Sequence, residues 1–131
     1  MTQEDKELLL KDLAARLSYG VKFLRESWNY EWDQEMSVVE TLEDIDNEGY
    51  INHTRVYKVE DIKPYLRPMS SMTEEEYKES CCIYEVTHLD DGSEVPCMAY
   101  IDWLNAHHFD YRGLIEKGLA LEAPEGMYNE D

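Results

Sequence analysis

Apolar residues recur at three- and four-residue spacing from Leu9 through Leu10, Leu13, Ala14 and Leu17, one stripe along a helix. Thr2 stands where an N-cap belongs, and Glu4 and Asp5 suit the positive end of the helix dipole. Glu7–Lys11 and Asp12–Arg16 are favourable i,i+4 pairs, and Gly20 is placed to end the helix. The pattern then changes. Residues 21 to 58 are rich in β-branched and aromatic residues, which predicts strands near 21–28, 36–45 and 50–58. Asn47-Glu48-Gly49 reads as a hairpin turn, with Gly49 supplying a positive φ. Three consecutive strands with short connections predict an antiparallel meander.

Pro64 and Pro68 keep the segment Lys58–Met69 from being a long helix, so a short helical turn followed by extended chain across the sheet is expected. A second helix opens with a capping box of Thr73 and Glu76, and Met72 and Tyr77 hold the staple positions. Tyr77, Cys81 and Tyr84 form its apolar stripe and are expected to face inward, with the helix ending near His88 before the turn Asp90-Asp91-Gly92. A third helix is expected from Pro96, carrying Tyr100, Ile101 and Leu104 with Trp103 beside them. Asp110 can cap a short fourth helix with Leu114 and Ile115, stopped at Gly118. The fold class that follows is α+β: an N-terminal helix, a three-stranded antiparallel meander, then two or three helices packed on one face. One domain is expected over residues 1–122, followed by a flexible acidic tail over residues 123–131, where Pro124, Gly126 and terminal acids gather.

Charge changes the picture more than composition does. The chain has 131 residues, 12 Lys plus Arg against 30 Asp plus Glu, and a formal net charge of −18. Between Arg25 and Arg55 no Lys or Arg occurs, yet the stretch carries Glu26, Glu31, Asp33, Glu35, Glu40, Glu43, Asp44, Asp46 and Glu48. Such a field repels phosphates, which argues against direct contact with DNA, RNA or an anionic membrane and for a cationic partner. No apolar run approaches the roughly 20 residues of a membrane helix. The polar start Met1–Asp5 does not read as a signal peptide, and three cysteines with Cys81 and Cys82 adjacent read as reduced thiols in a cytoplasmic protein.

Several constellations invite a chemical reading. Asp44-Ile-Asp46-Asn-Glu48-Gly49-Tyr50-Ile51-Asn52 resembles the front of an EF-hand calcium loop, with oxygens from Asp44, Asp46, Glu48 and Asn52 as candidate ligands. Arg55 stands where the bidentate glutamate belongs, and the predicted flanks are strands, so no metal is expected. His107 and His108 point about 100° apart on a helix and converge poorly on one ion, so one is expected to pack and the other to be solvated. Cys81 or Cys82 with a histidine has no supporting motif, and a helical cysteine reads first as a small buried hydrophobe. Glycine phosphate loops and HExxH, GxSxG or CxxC patterns do not occur. Alternation places Asp44, Asp46 and Glu48 on one strand face about 7 Å apart, close to the spacing of phosphates, and the same holds for Glu31, Asp33 and Glu35. Trp28 and Trp32 are candidate anchors beside them, against core packing as the plainer reading.

The blocks VEDIKPYLRPMSSMT (Val59–Thr73) and YIDWLNAHHFDYRGLIEKGLALEAPEGMY (Tyr100–Tyr128) resemble an uncharacterised family of small hypothetical proteins from gut Bacteroidales, their phages and other mobile elements. The resemblance implies a bacterial or phage cytoplasmic setting and carries no activity, cofactor or site residue. The function expected is a non-enzymatic acidic accessory protein that binds a basic, nucleic-acid-handling protein, as a nucleic-acid mimic or inhibitor. Its binding residues would be Glu31, Asp33, Glu35, Asp44, Asp46, Glu48, Trp28 and Trp32, with no cofactor. The alternatives are a calcium- or metal-responsive domain using the 44–52 loop and a small enzyme with a Cys/His site.

Overall fold

The computed structural model describes residues 1–29, 31–55 and 57–128; the side chains of residues 26–29, 35, 36 and 87 are outside that description. The described chain is a mixed α+β fold. Helix α1 spans Gln3–Arg16 and is closed at its start by a reciprocal capping box between Thr2 and Asp5. Strands β1 (Lys22–Asn29) and β2 (Gln34–Thr41) form a hairpin paired along its whole length, from Lys22↔Thr41 to Asn29↔Gln34. Strand β3 (Ile62–Pro68) returns antiparallel to β1, so the order is β2-β1-β3 and β2 lies at an edge. Beyond β3 come α2 (Glu74–Ile83), a small hairpin of β4 (Val86–His88) and β5 (Glu94–Pro96), and α3 (Met98–Ala106). Two short strands, β6 (Phe109–Asp110) and β7 (Leu121–Glu122), pair in parallel with the second half of β3.

The third strand of the expected meander is therefore not at 50–58, and the three strands do not run in sequence order. Among the described residues of 42–58 the chain folds into a loop that carries the isolated bridges Ile45↔Ile51 and Tyr50↔Lys58 in place of a strand. Asn52 and His53 both adopt left-handed backbone (φ 53° and 60°), which a strand cannot accommodate. The Asn52 side chain fastens the loop: its Oδ1 accepts from the N–H groups of Glu43 (2.7 Å) and Asp44 (3.1 Å), and its Nδ2 donates to the Thr41 carbonyl. The segment expected to cross the sheet after a short helical turn does so as β3. Its residues alternate between buried Ile62, Pro64 and Leu66 and more exposed neighbours, the period of a strand. Its prolines fall where ladders stop. Pro64 is the last residue paired with β1, and Pro68 the last paired with β6.

Two apolar clusters hold the layers together. The larger joins Leu9 and Leu13 of α1 to Val21, Phe23, Ile51, Val59, Ile62, Leu66 and Leu114, all essentially without solvent contact. The smaller gathers Trp103, Leu104 and Phe109, with Met72 and Ile83 packed against it. The fourth helix is absent, although its cap forms. The Asp110 carboxylate accepts from Leu114 N–H (2.9 Å) and Ile115 N–H (3.0 Å), but Gly113 and Gly118 take φ of 74° and 75°, and the chain turns instead of winding on. Residues 123–128 lie along the sheet and do not trail from it. Ala123 N–H donates to the Leu66 carbonyl, and the Tyr128 hydroxyl accepts from Lys22 N–H (2.8 Å) and donates to the Tyr65 carbonyl (2.7 Å). The acidic composition of that segment concealed one aromatic side chain with partners in β1 and β3.

Between α1 and the C-terminal segment lies a buried ionic cluster. Asp12 and Arg16, one helical turn apart, have no exposed side-chain surface. Arg16 donates through Nε and Nη2 to Asp12 (2.8 and 3.2 Å) and through Nη2 to the Phe109 carbonyl (2.6 Å). Arg112 adds a third bond to Asp12 (3.0 Å), and the Tyr111 ring lies beneath both guanidinium groups, at 5.3 and 4.8 Å. A pair that the sequence presents as surface support for a helix is thus a central fixture. Asp12→Ala, which strands two cations around a closed pocket, is expected to cost about 3–5 kcal/mol in urea unfolding, far more than the few tenths of an exposed i,i+4 pair.

His108 sits beside this cluster, buried, with φ 64° and its ring stacked on Tyr128 at 3.7 Å. Burial, reinforced by the charges of Arg16, His107, Arg67 and Lys22, pushes its pKa down from 6.5 to about 4. The unfolded chain therefore takes up this proton first as pH falls. The stability tied to neutral His108 is complete above about pH 6.5 and is lost as pH drops towards 4, on the order of 2–3 kcal/mol. Urea midpoints at pH 7 and pH 4.5 are expected to differ less in His108→Asn, a residue that tolerates the left-handed backbone, than in the parent.

Candidate functional site

The acidic stretch between Arg25 and Arg55 folds into the free edge of the sheet and the loop beyond it. Glu31, Trp32 and Asp33 form the turn between β1 and β2, all exposed; Trp32 shows 61% of its surface, and Asp33 adopts φ 52°. Aspartate suits that conformation because its short polar side chain tolerates left-handed backbone. The side chains of Trp28 and Glu35 lie outside the described residues, so the strand-face alternation expected of Glu31, Asp33 and Glu35 is not seen as such; two of the three are in the turn. Arg25, the nearest cation before the stretch, is engaged: its guanidinium pairs with Glu40 (3.0 Å), bonds the Tyr57 hydroxyl and lies over the Tyr57 ring.

The second half of the stretch departs from expectation. Asp44, Asp46 and Glu48 do not share a strand face, because the chain reverses tightly between Ile45 and Ile51. Gly49 N–H donates to the Asp46 carbonyl (3.1 Å), and Gly49 takes φ 86°, the turn its sequence predicts. An α-carbon bearing a side chain would be strained there, and the added Cβ would meet the Leu10 methyl groups at 3.7 Å. The carboxylates serve the loop itself. Asp46 Oδ1 accepts from the N–H groups of Glu48 and Tyr50, both at 2.9 Å. Asp44 Oδ1 accepts from His53 N–H (3.2 Å), and its other oxygen pairs with the His53 ring. Asn52 is spent on Glu43, Asp44 and Thr41. The candidate calcium ligands Asp44, Asp46 and Asn52 thus close hydrogen bonds inside the loop, and with Glu48 they do not converge. Among the described residues, no three His, Cys, Asp or Glu side chains stand where they could hold one ion.

The other candidate residues scatter. His107 is stacked on Trp103 at 4.1 Å with Nδ1 2.9 Å from the Trp103 carbonyl, and His108 is buried against Tyr128; neither is the solvated histidine expected of the pair. Cys81 and Cys82 are exposed on α2, not small buried hydrophobes, while Cys97 is half-buried with Sγ against the Ile83 carbonyl. The described helices include none long and apolar enough to cross a membrane.

One concave surface was missed by the sequence reading. Helix α2 begins as expected, with Thr73 accepting from Glu76 N–H and Glu76 reaching back to Thr73 N–H. Its inward face, however, carries polar residues beside Ile83. Glu76 takes both terminal nitrogens of Arg67 (2.8 and 2.6 Å), which holds its carboxyl down at about 2, and Glu79 accepts from the Trp103 indole (3.0 Å). Ser80 is the buried residue of the helix. The stripe of Tyr77, Cys81 and Tyr84, expected to face inward, consequently faces out, with Tyr77 61% and Tyr84 49% exposed. It lines an open groove of about 620 Å3 with Met69, Met72 and Tyr100. Tyr84 and Tyr100 meet edge to face there, centroids 4.9 Å apart. The signal that could have exposed this arrangement is the run of acids at positions 76 and 79, matched in length to Arg67 and to the indole of Trp103. Comparison of the chain with known protein families, with curated proteins and with solved structures finds no match.

Proposed function

We propose that this protein works by binding, not by catalysis, and that the acidic edge formed by β2, the Glu31–Asp33 turn and the 42–53 loop engages a basic protein. The observation that supports this reading is the run of nine carboxylates, with no Lys or Arg among them, over a hairpin and loop at a sheet edge whose neighbouring cation, Arg25, is consumed by Glu40. An exposed tryptophan at the tip, flanked by two acids, gives such a surface an aromatic contact as well as a field. A nucleic-acid-handling partner is the sharper form of the proposal. Mimicry of a phosphate strand then rests on charge density alone, because Asp44, Asp46 and Glu48 sit in a turn and lack even strand spacing. The bacterial or phage setting is what the family resemblance of the two sequence blocks implies, and the accessory role is part of the proposal.

The test uses the whole chain, immobilised, to capture proteins from a Bacteroidales lysate at about 150 mM salt, where charges are screened over about 8 Å. Retained partners are expected to be basic and to elute as salt rises. Glu31→Gln with Asp33→Asn and Glu48→Gln is expected to weaken retention at least about tenfold while circular dichroism stays native. A partner whose retention ignores both salt and this variant refutes the acidic-edge reading.

A further inference from the structure

The apolar groove on α2 and α3 belongs to a different surface, and its chemistry specifies an occupant. Three tyrosines and two methionines make it adaptable and aromatic, the composition that accepts inserted apolar side chains. Its volume of about 620 Å3 is in the range of pockets that enclose several such groups. The surroundings are acidic. Glu74 stands on the wall of the groove, and between Arg67 and Arg112 the only Lys or Arg is Lys78, itself 3.6 Å from Glu74. Arg67 is occupied by Glu76. A second copy of this chain would bring the same acids, and a net charge of −18, against them.

We infer that this groove is a docking site for a Lys- or Arg-rich segment of a partner protein, which inserts large apolar side chains between Tyr77, Tyr84 and Tyr100 while its cations meet Glu74 and the negative field of the chain. The occupant resembles the partner of the acidic edge in charge, but the contact is separate and includes an apolar component that the edge reading does not require. Two features of the fold keep the groove open. The inner face of α2 is fixed to Arg67 and Trp103, so the helix does not roll its tyrosines inward. Met69 and Met72 lie on the chain just before α2, joined by the bond from Met72 N–H to the Met69 carbonyl, and Met72 packs against the smaller apolar cluster.

Selection of a random peptide library on the intact protein tests this directly, whichever protein carries the segment. Enriched peptides are expected to combine Lys or Arg with Leu, Met or aromatic residues, and their dissociation constants, read by fluorescence anisotropy, should rise at least about tenfold in Tyr77→Ser with Tyr84→Ser. The edge variant Glu31→Gln with Asp33→Asn and Glu48→Gln should leave those constants within about threefold, which separates failure of this site from failure of the edge. Should the tyrosine variant lose its native circular dichroism, a bulky maleimide on Cys81 in Cys82→Ser protein supplies the same block and is expected to abolish binding. Four results overturn the proposal: no enrichment, enriched peptides lacking cations or lacking apolar residues, binding that follows the edge variant instead of the groove variant, or a dimer in sedimentation that the tyrosine variant dissolves, which would make the occupant a second copy.

Discussion

The fold turns on one carboxylate. Asp12 lies on the inner face of α1, wholly enclosed, and accepts from two guanidinium groups, of which one comes from its own helix and the other from residue 112. Removing charges from water is costly, and the structure offsets that cost locally with the Phe109 carbonyl and the face of Tyr111. Arg16 Nη1 and His108 Nδ1 stay buried without a hydrogen-bond partner among the described residues, so the offset is incomplete. What the cluster provides is position. It fixes α1 against β6 and the segment after it, and the geometry of β3, α3 and Tyr128 follows from where β6 lies.

Much of the local structure was legible. The capping pattern Thr73-x-x-Glu76 describes satisfaction of free N–H groups within one turn, and such short-range arithmetic survives folding unchanged. The same holds for Gly49 and for the cap role of Asp110. What failed was assigning a side to each face. Asp12 and Arg16 read as a favourable pair within one helix, and the partner that completes their burial, Arg112, is a hundred positions away. Tyr77, Cys81 and Tyr84 read as core because apolar stripes usually are, yet Glu76 and Glu79 had better inward partners. The strand expected at 50–58 failed for another reason: composition favours a strand, but the Asn52 side chain offers the backbone a competing set of hydrogen bonds.

The acidic stretch illustrates how one composition can serve two purposes. Asp44 and Asp46 are internal acceptors that shape a loop, whereas Glu48 lies exposed in that loop and Asp33 lies exposed in the hairpin turn at the other end of β2. A tally of charge treats them alike. Their surroundings do not, because a visiting cation must compete with backbone N–H groups for Asp44 and Asp46 and would loosen the turn by winning. The groove on α2 gathers apolar side chains in one concave place, so it and the acidic edge would answer differently to ionic strength.

The long separations in this structure have a consequence for how the chain is assembled. Arg16 reaches Phe109 across 93 positions, Asp12 meets Arg112 across 100, and Tyr128 bonds Lys22 across 106. A nascent chain emerging from the ribosome can complete α1 and the β1–β2 hairpin early, since both are local, but Asp12 and Arg16 must then wait in water for a cation and a carbonyl that are synthesised much later. High sequence separation of this kind slows folding because loop closure precedes any reward from contact. The segment ending at Tyr128 therefore acts as a latch: until its hydroxyl has passed between β1 and β3, the sheet has its strands but not its closure.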